Sequence, residues 1–497
     1  MLIGELFSKA GISYPKYAEN IEIRNIVTDS RQVTDGSLFI CIKGLKRDGH
    51  EYIKEALEKG AAVIVAERVR DECVGGAAAF IMLENTRKVA ALLYNAYYGN
   101  PAEKLKIIGI TGTNGKTTVS TLLYEIFKAA GIAAGLIGTV CRLTADGEAL
   151  SPKNERDGVN MTTPDPDDLY CYLAQMAERG AKYVIMEVSS HALALNKIDA
   201  IRFDLGAFTN LTRDHLDFHK TMEEYYRAKS RLFGLCRRGL INTDGEYGKR
   251  LALECPCPHY TCSVTEGDFC ALEAENRGLD GISYTHKSEY GELPIETPLW
   301  GDIALENTLM AVSIARMYGI DGDIIQRTIS EARGARGRME RVDVGDNKPT
   351  VIIDYAHTPD ALERLLRTAR EINLDSGRLI LLFGCGGERD AGKRKLMGAI
   401  ASKYADLTVI TSDNSRGEDP TAIIGEIVKG IDKEKPYITV PDRREAIRWA
   451  CAEAREGDIL LLAGKGHEKY EITAEGESPF DETEIVKKLF AEGQKQK

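Results

Sequence analysis

The chain has 497 residues, a formal net charge of −11, 43% hydrophobic residues and 28% charged residues. This length predicts about three domains, the composition is typical of a globular protein, and the acidic balance argues against a large nucleic-acid-binding surface. No run approaches the roughly 18 apolar residues of a membrane helix, and the first residues lack a signal-peptide pattern, so we expect a cytoplasmic protein without membrane insertion.

Residues 1–103 are predicted to form a small α/β domain. Strand-like runs at 21–27, 37–42, 62–65 and 79–83 alternate with amphipathic stretches. The step Asn100-Pro101 is typical of a connection between domains, so the first boundary is placed there.

The segment Ile107-Ile-Gly-Ile-Thr-Gly-Thr-Asn-Gly-Lys-Thr-Thr118 carries the clearest functional signal. A buried strand runs into a glycine loop and then into a helix with apolar residues at helical spacing. Gly112 and Gly115 let backbone N–H groups point at a phosphate, while Lys116 supplies a positive charge and Thr117 a hydroxyl for Mg²⁺. The segment predicts a nucleoside triphosphate site, and a solvated glycine turn is the alternative.

Residues 104–333 are predicted to form a doubly wound α/β domain around this loop. Its expected strands are 105–110, 183–188, 205–209 and 240–243, and the alternation at 269–299 indicates a small antiparallel insert.

Two further residues of this domain, Glu187 and His215, are candidates for metal chemistry. Glu187 leaves a buried strand, which is costly unless the carboxylate meets a cation such as Mg²⁺; a capping or salt-bridged glutamate is the alternative. His215 follows the next strand in Asn-Leu-Thr-Arg-Asp-His-Leu-Asp and could ligate metal or position phosphate, whereas His219 is interpreted as a hydrogen-bonding residue. Lys229 lies in an amphipathic helix, and the helix pattern alone predicts a solvated side chain.

Residues 334–497 are predicted to form a last α/β domain with strands at 350–354, 379–383, 407–411, 437–440 and 459–463. Four of these strands end in polar or glycine-rich clusters, which are Asp354–His357, Gly384–Asp390, Asp413–Arg416 and Gly464–Glu468. Ligands bind outside the carboxyl ends of parallel strands, so four clusters at one edge predict a binding cleft.

Six motifs occur in one order along the chain: Gly-Thr-Asn-Gly-Lys-Thr-Thr, Glu-Val-Ser-Ser-His, Asn-Leu-Thr-Arg-Asp-His-Leu-Asp, Ala-Lys-x-x-Leu-Phe, Gly-Arg-Met-Glu and Asp-Tyr-Ala-His-Thr-Pro-Asp. Together they resemble the Mur ligases of peptidoglycan synthesis. Asp29-Ser-Arg31 and Asp413-Asn-Ser-Arg416 resemble the members that add the third peptide residue.

The resemblance implies a three-domain enzyme that uses ATP and Mg²⁺. Its central phosphate-loop domain is flanked by a small α/β domain and a Rossmann-like domain. The implied substrates are UDP-N-acetylmuramoyl-dipeptide and a diamino acid. We expect a monomer, although the sequence itself is silent on the oligomeric state. The dipeptide carboxylate would become an acyl phosphate, which the amine attacks, with closure of the last domain around ATP.

The resemblance also implies a role for each matching residue. Lys116, Glu187, His215 and Lys229 would be catalytic, and the Mg²⁺ ligands would be Thr117, Glu187, His215 and Lys229, the last one carbamylated. ATP would be bound by Gly112, Thr113, Asn114, Gly115, Lys116, Thr117, Thr118, Asn307, Arg338 and Asp354. The UDP-substrate would be bound by Ser30, Leu45, Lys46, Arg47, Thr162, Thr163, Ser189 and Lys197. The incoming amino acid would be bound by Arg389, Asp413, Asn414, Ser415, Arg416, Gly464 and Glu468.

The chain departs from the family pattern at a few positions. Ala304 and Leu195 replace more polar residues, and Lys197 replaces an arginine, which keeps the charge but loses the bidentate fork. Ser415 stands where the diaminopimelate-adding members have proline. These departures predict altered packing of the adenine and altered pyrophosphate or peptide contacts.

Arg416 favours meso-diaminopimelate as the amino acid, because its guanidinium suits a second carboxylate and would repel the ammonium of lysine. Lysine and ornithine are the next candidates, and Arg416 could instead pair with Glu418 or Asp419. Other interpretations are a folylpolyglutamate-synthetase-like ligase, the ligase that adds D-alanyl-D-alanine, and a phosphate-loop ATPase without ligase activity.

Overall fold

The structure, a computed structural model, describes residues 1–44, 47–69, 78–151, 161–372 and 377–493. The strands are β1 Asn25–Val27, β2 Ser37–Ile40, β3 Val63–Ala66, β4 Ala79–Met82, β5 Lys106–Thr111, β6 Ala134–Ile137, β7 Arg142–Leu143, β8 Tyr183–Glu187, β9 Leu205–Phe208, β10 Gly239–Asn242, β11 His259–Ser263, β12 Phe269–Asn276, β13 Ile282–Ser288, β14 Gly291–Thr297, β15 Glu340–Val342, β16 Thr350–Asp354, β17 Leu379–Phe383, β18 Leu407–Ile410, β19 Tyr437–Thr439, β20 Ile459–Ala463, β21 Tyr470–Thr473 and β22 Gly476–Pro479. The helices are α1 Ile3–Lys9, α2 Ile53–Glu58, α3 Thr86–Tyr97, α4 Pro101–Lys104, α5 Lys116–Ala129, α6 Pro166–Glu178, α7 Ser190–Ala194, α8 Leu216–His219, α9 Met222–Gly234, α10 Glu246–Glu254, α11 Gly301–Met317, α12 Gly322–Ser330, α13 Pro359–Ile372, α14 Gly392–Tyr404, α15 Pro420–Val428, α16 Arg443–Glu453 and α17 Glu482–Gly493.

The N-terminal sheet has the order β1-β2-β3-β4, and all of its pairs are parallel. Every residue of β2 and β3 is buried, as expected for parallel strands that are covered on both faces. The four strands predicted for residues 1–103 are confirmed, with bounds that shift by a few residues. The predicted substrate residues Leu45 and Lys46 lie outside the described residues.

The central sheet has the order β14-β13-β12-β11-β10-β9-β5-β8-β6-β7. β12, β13 and β14 form an antiparallel meander, which confirms the predicted insert. Two strands were not predicted: β6, which is short and contains a glycine, and β11, whose polar outer half gives no hydrophobic pattern.

The C-terminal sheet has the order β15-β16-β20-β17-β18-β19, and all of its pairs except β15–β16 are parallel. β17 and β20 are completely buried, because apolar clusters cover both faces of the sheet. All five predicted strands are confirmed, while β15 and the β21–β22 hairpin were not predicted. The four polar clusters therefore follow neighbouring strands at one edge, as the sequence predicted.

Contacts between residues group the chain into two compact units. One unit contains residues 1–109, 132–206 and 228–238, and the other contains residues 110–131, 207–227 and 239–497. None of the helices in the described part of the chain is long and apolar enough to cross a membrane.

His286 on β13 is a buried histidine inside the second unit, and it is fully shielded from solvent. Its Nε2 lies 3.2 Å from Ser313 Oγ, and that hydroxyl donates its own proton to the carbonyl of Leu309 at 2.7 Å. Nε2 must therefore carry the imidazole proton, which leaves Nδ1 as a buried acceptor without a partner in the structure. Burial, with a smaller contribution from Arg316, lowers the pKa of His286 to about 4.

We predict that acid destabilises the protein through His286. The unfolded chain binds a proton below pH 6.5, whereas native His286 resists protonation until about pH 4, so stability falls as the pH drops through this window. At pH 5 this protonation lowers the free energy of unfolding by about 2 kcal/mol. Urea unfolding at pH 7.5 and pH 5 should show a smaller pH-dependent loss for His286→Leu than for the wild type. His259→Gln, at a half-buried position on β11, is the matched control. An equal loss in His286→Leu would contradict the prediction.

Candidate active site

The phosphate loop connects β5 to α5, and its conformation depends on two glycines. Gly112 and Gly115 have φ angles of +148° and +87°. A Cβ on Gly112 would lie 1.9 Å from Thr209 Oγ1, and one on Gly115 would lie 2.3 Å from Asn307 Oδ1. Both positions therefore combine a backbone conformation that favours glycine with neighbours that leave no room for a side chain.

Side chains from the segment after β9 hold the loop in place. Asn210 Oδ1 accepts the N–H of Asn114 at 2.9 Å, and Thr209 Oγ1 donates to the Asn114 carbonyl at 2.6 Å. Thr113 Oγ1 lies 3.2 Å from the hydroxyl of Tyr225. The motif Asn210-Leu-Thr-Arg-Asp-His-Leu-Asp217 was identified for its aspartate and histidine, and the supporting role of Thr209 and Asn210 was not predicted.

The predicted phosphate ligands lie where a helix N-terminus and a cation can act together. Lys116 Nζ donates to the carbonyls of Gly112 and Thr113, both at 2.9 Å. Thr117 is buried in the first turn of α5, and Asn307 on α11 is buried beside Gly115. The turn of the loop and the ammonium at its rim fit the phosphate groups of a nucleotide.

His215 lies at the start of α8 with a φ of +53°. Its Nε2 is 3.4 Å from Asp214 Oδ2. Burial acts to raise the pKa of Asp214, but the positive charge that His215 and His357 can carry outweighs it and lowers the pKa below its ordinary value. His219 is buried, with its ring 5.1 Å from that of Tyr225.

In the first unit, Glu187 is buried at the end of β8 and is 1% exposed. Its carboxylate accepts the N–H of Thr139 at 2.8 Å and the hydroxyl of Thr139 at 3.0 Å. The hydroxyl of Thr139 also lies 3.0 Å from that of Thr162, while Thr163 Oγ1 donates to the Glu187 carbonyl at 2.9 Å. Thr163 Oγ1 in turn accepts the N–H of Ser189 at 2.9 Å. The structure thus brings together four predicted residues and adds Thr139, which the sequence analysis did not identify.

The other predicted residues of this unit have different environments. Lys197 forms an ion pair with Asp165 at 2.7 Å, so its charge has a carboxylate partner in the structure. Ser30 Oγ donates to Glu55 Oε2 at 3.3 Å, and Arg47 is exposed. Lys229 on α9 is 1% exposed, so the prediction of a solvated lysine from the helix pattern alone is wrong.

At the edge of the C-terminal sheet, Asn414 joins two of the predicted clusters. Its Nδ2 donates to Glu468 Oε2 at 2.8 Å, and its Oδ1 accepts from Lys465 Nζ at 2.8 Å. Lys465 is fully buried, and its Nζ lies 3.9 Å from Asp413 and 3.6 Å from Glu468. Lys465 was not predicted, although the motif Gly464-Lys-Gly-His-Glu468 contains it.

Arg416 has a φ of +52°, and its Nη1 donates to the carbonyls of Gly387 at 2.8 Å and Asn414 at 3.2 Å. Glu418 pairs instead with the buried Arg394 at 3.0 Å, and Asp419 caps α15. Both acids named as alternative partners of Arg416 thus have other partners in the structure.

The other residues predicted to bind the incoming amino acid lie at the same edge of the C-terminal sheet. Ser415 is buried, Arg389 is exposed, and Gly464 has a φ of +114°. A Cβ on Gly464 would lie 2.8 Å from Asp413 Oδ2, so this glycine permits close packing of the two clusters.

Arg338 and Asp354 are both predicted to bind ATP and lie close to each other. Arg338 comes just before β15, and Asp354 is the last residue of β16. The Arg338 guanidinium lies 4.5 Å from the centre of the Tyr355 ring. Asp354 accepts the N–H groups of Met339 and Ala356, both at 2.7 Å. Burial raises the pKa of Asp354, and Arg338 only partly offsets it.

Family models cover most of the chain. The model described as Mur ligase family, catalytic domain, matches residues 22–98, the Mur ligase middle domain matches 110–315, and the Mur ligase, glutamate ligase domain, matches 337–466. The UDP-N-acetylmuramoyl-L-alanyl-D-glutamate--2,6-diaminopimelate ligase of Clostridioides difficile (strain 630) is 42% identical over 499 aligned residues, which cover 99% of this chain and 100% of that relative. The chain belongs to the Mur ligase family.

Solved structures agree with this membership. A Mur ligase structure, that of a UDP-N-acetylmuramoyl-L-alanyl-D-glutamate--2,6-diaminopimelate ligase, superposes with a TM-score of 0.68 at 30% identity and covers 99% of this chain and 100% of its own. MurF ligase from Thermotoga maritima in complex with ADP has a TM-score of 0.62 at 17% identity, with 95% and 98% of the two chains covered, and so supports the fold alone. The expected family, the three-domain α/β fold class and the enzyme class, an ATP-dependent ligase, are confirmed.

We predict that Gly115→Ala weakens nucleotide binding by about tenfold or more. The methyl group would displace Asn307, and the positive φ adds about 1–2 kcal/mol of backbone strain. Calorimetric titration with ADP measures the effect. The matched control is Gly131→Ala just after α5, because its φ is +70° but nothing lies within 4 Å of an added Cβ. That control should lower the unfolding midpoint without changing the ADP affinity. Equal ADP binding by wild type and Gly115→Ala would contradict the assignment of the loop.

Proposed function

We propose that this Mur ligase joins meso-diaminopimelate to the D-glutamyl carboxylate of UDP-N-acetylmuramoyl-L-alanyl-D-glutamate with ATP in peptidoglycan synthesis. The observation that carries the choice of amino acid is the environment of Arg416. Two backbone carbonyls hold its guanidinium at the cleft edge, while Arg394 takes the neighbouring Glu418. An arginine held in this way suits the second carboxylate of diaminopimelate. The relatives named as diaminopimelate ligases support the same choice.

The ATP site of the proposal consists of residues 112–118 with Asn307, Arg338 and Asp354. Its support is the close packing of Gly115 against Asn307 and the shared position of Arg338 and Asp354 at one sheet edge. Lys116 would place positive charge beside the γ-phosphate, and the N–H groups of the α5 N-terminus would bind phosphate oxygens. A cytoplasmic location belongs to the same proposal, because ATP is the phosphate donor.

The UDP-substrate would be bound by the N-terminal domain, with Ser30 and residues 45–47, and by the central domain. In the latter, Thr162, Thr163, Ser189 and Lys197 would contact the muramoyl-dipeptide. The hydrogen-bonded chain from Glu187 through Thr163 to Ser189 supports a joint role for these residues. The proposed domains span residues 1–103, 104–333 and 334–497, and each contains one matched family region.

Mg²⁺ is proposed to bind through Thr117, Glu187, His215 and Lys229, the last as a carbamate. No group of three or more His, Cys, Asp or Glu side chains in the described residues forms a metal site by itself. Glu187 supplies one carboxylate to the proposed ligand set, and Mg²⁺ is often held by one or two carboxylates together with substrate phosphates. The burial of Lys229 disfavours the ammonium form, and a neutral amine is the form that can become a carbamate; the carbamate anion, buried in turn, would need a cation such as Mg²⁺ beside it.

The reaction follows from the chemistry of these groups. A carboxylate is a poor electrophile, so its oxygen attacks the γ-phosphorus and ADP leaves, forming an acyl phosphate. Lys116 offsets the negative charge as two anions approach, and bound Mg²⁺ would supply further positive charge there. The amine nitrogen then attacks the carbonyl carbon, and inorganic phosphate leaves. Asn414, Glu468 and Arg416 would orient the amino acid for this step.

Phosphate release tests the proposal. Purified protein with ATP, Mg²⁺ and UDP-muramoyl-dipeptide should release phosphate when meso-diaminopimelate is added, because the acyl phosphate needs an amine acceptor. Release with lysine or ornithine in place of diaminopimelate would overturn the substrate assignment. Release without any amine would favour an ATPase, and activity with a folate substrate would favour the folylpolyglutamate-type ligase.

We predict that Arg416→Met raises the KM for diaminopimelate by about tenfold or more, because a charge-assisted pair with the distal carboxylate is lost. The KM for ATP should change little, and the preference for diaminopimelate over lysine should shrink. Arg448→Met is the matched control, since Arg448 lies on the exposed side of α16 and pairs with Glu445 at 2.7 Å. An unchanged KM for diaminopimelate in Arg416→Met would contradict the prediction.

A further inference from the structure

One side of α13 carries three residues at a spacing of four, namely Asp360, Arg364 and Thr368. We call them the α13 row. This spacing places their side chains on one face of the helix, while Leu362, Leu365, Leu366 and Ala369 pack into the core of the C-terminal domain. Each member of the row contacts a residue from the part of the chain that contains the phosphate loop and α11.

The first contact reaches the phosphate loop itself. Asn114 Nδ2 donates to Asp360 Oδ2 at 3.3 Å. The backbone of Asn114 is already held from the other side by Thr209 and Asn210. Asp360 therefore gives the central residue of the loop a partner from the C-terminal domain.

The second contact is an ion pair with α11. Arg364 uses both terminal nitrogens on the Glu306 carboxylate, at 2.9 and 3.4 Å. The two side chains are 32% and 16% exposed, so the pair is partly shielded from solvent. Burial raises the pKa of Glu306, and Arg364 partly offsets this effect. The next residue along α11 is Asn307, whose Oδ1 packs against Gly115 of the loop.

The third contact is steric. Gly301 begins α11 with a φ of +72°, and a Cβ there would lie 2.5 Å from Thr368 Cγ2. The preceding Trp300 is 6% exposed and is part of the hydrophobic core of the C-terminal domain. The start of α11 is therefore packed directly against α13.

We propose that the α13 row positions the phosphate loop for nucleotide binding, with Asp360 and Arg364 as positioning residues. The inference rests on the proposed function, because it concerns the proposed ATP site. Asp360 fixes Asn114 directly, and Arg364 fixes α11 and thereby Asn307 beside Gly115. A loop held from both sides has less freedom to lose when a nucleotide binds.

Calorimetric titration of the full chain with ADP tests this role. Asp360→Ala should raise the dissociation constant about fivefold, the effect of one lost hydrogen bond, whereas Asp360→Asn keeps a carbonyl acceptor and should stay within about twofold of the wild type. Arg364→Met should raise the dissociation constant for ADP about tenfold, because Glu306 is left without its cation. Adding Glu306→Gln should restore part of the lost ADP affinity. In steady-state kinetics the KM for ATP should rise while the KM for the amine does not.

Lys403→Met is the matched control, because Lys403 on α14 forms an ion pair at 3.2 Å with Glu363, a residue of α13 that is not part of the α13 row. ADP affinity should be unchanged in this variant. Wild-type ADP binding by both Asp360→Ala and Arg364→Met, with normal unfolding midpoints, would overturn the inference, as would an equal loss in Lys403→Met. A chain that shows the expected ADP pattern but no amine-dependent phosphate release would overturn the proposed function and leave this inference standing.

Discussion

The structure of the candidate active site depends on one constraint: the short loop after β5, the proposed phosphate site, must keep a single backbone conformation although two of its residues are glycines. Gly112 and Gly115 allow the conformation but cannot stabilise it, since glycine has the largest conformational freedom of any residue. Thr209, Asn210 and Tyr225 supply the missing restraint through hydrogen bonds and close packing. The site is thus preorganised by residues about a hundred positions away in the sequence, in accord with the electrostatic logic of phosphoryl transfer.

Buried charged side chains organise the edge of the C-terminal sheet, where the polar clusters follow the strands. Arg443 and Glu482 are both completely shielded and paired at 2.8 Å, and Arg443 also donates to the carbonyls of Ser412, just after β18, and of Ala463, the last residue of β20. Lys465 Nζ donates to Asn414 Oδ1 and to the backbone carbonyl of Tyr470. Such pairs add little net stability, but removing one partner leaves an uncompensated buried charge. We interpret them as the framework that holds the loops after β18 and β20 around the proposed amino-acid site.

Much of the fold could be predicted from the chain alone. Runs such as residues 379–383 and 459–463 are continuously apolar, and this pattern is typical of parallel strands covered on both faces. The phosphate loop was recognisable because its glycines and lysine have a fixed local spacing. β11 and the β21–β22 hairpin were missed, because most of their residues are partly or fully exposed and their hydrophobic pattern is weak. Lys229 was misread on its helix pattern, since an amphipathic pattern does not show what packs over a single position.

The sequence by itself determined the identity and order of the reactive groups, and with them the family and the class of chemistry. It did so because a phosphate loop and the strand-end clusters are local arrangements, and local spacing fixes which groups share a turn. Only the tertiary structure decided which distant side chains support them: Thr139 on Glu187, Asn210 on Asn114, Lys465 on Asn414, and the α13 row on the phosphate loop. These contacts join residues 48 to 246 positions apart, and no local pattern specifies them, because each depends on how separate helices and strands pack.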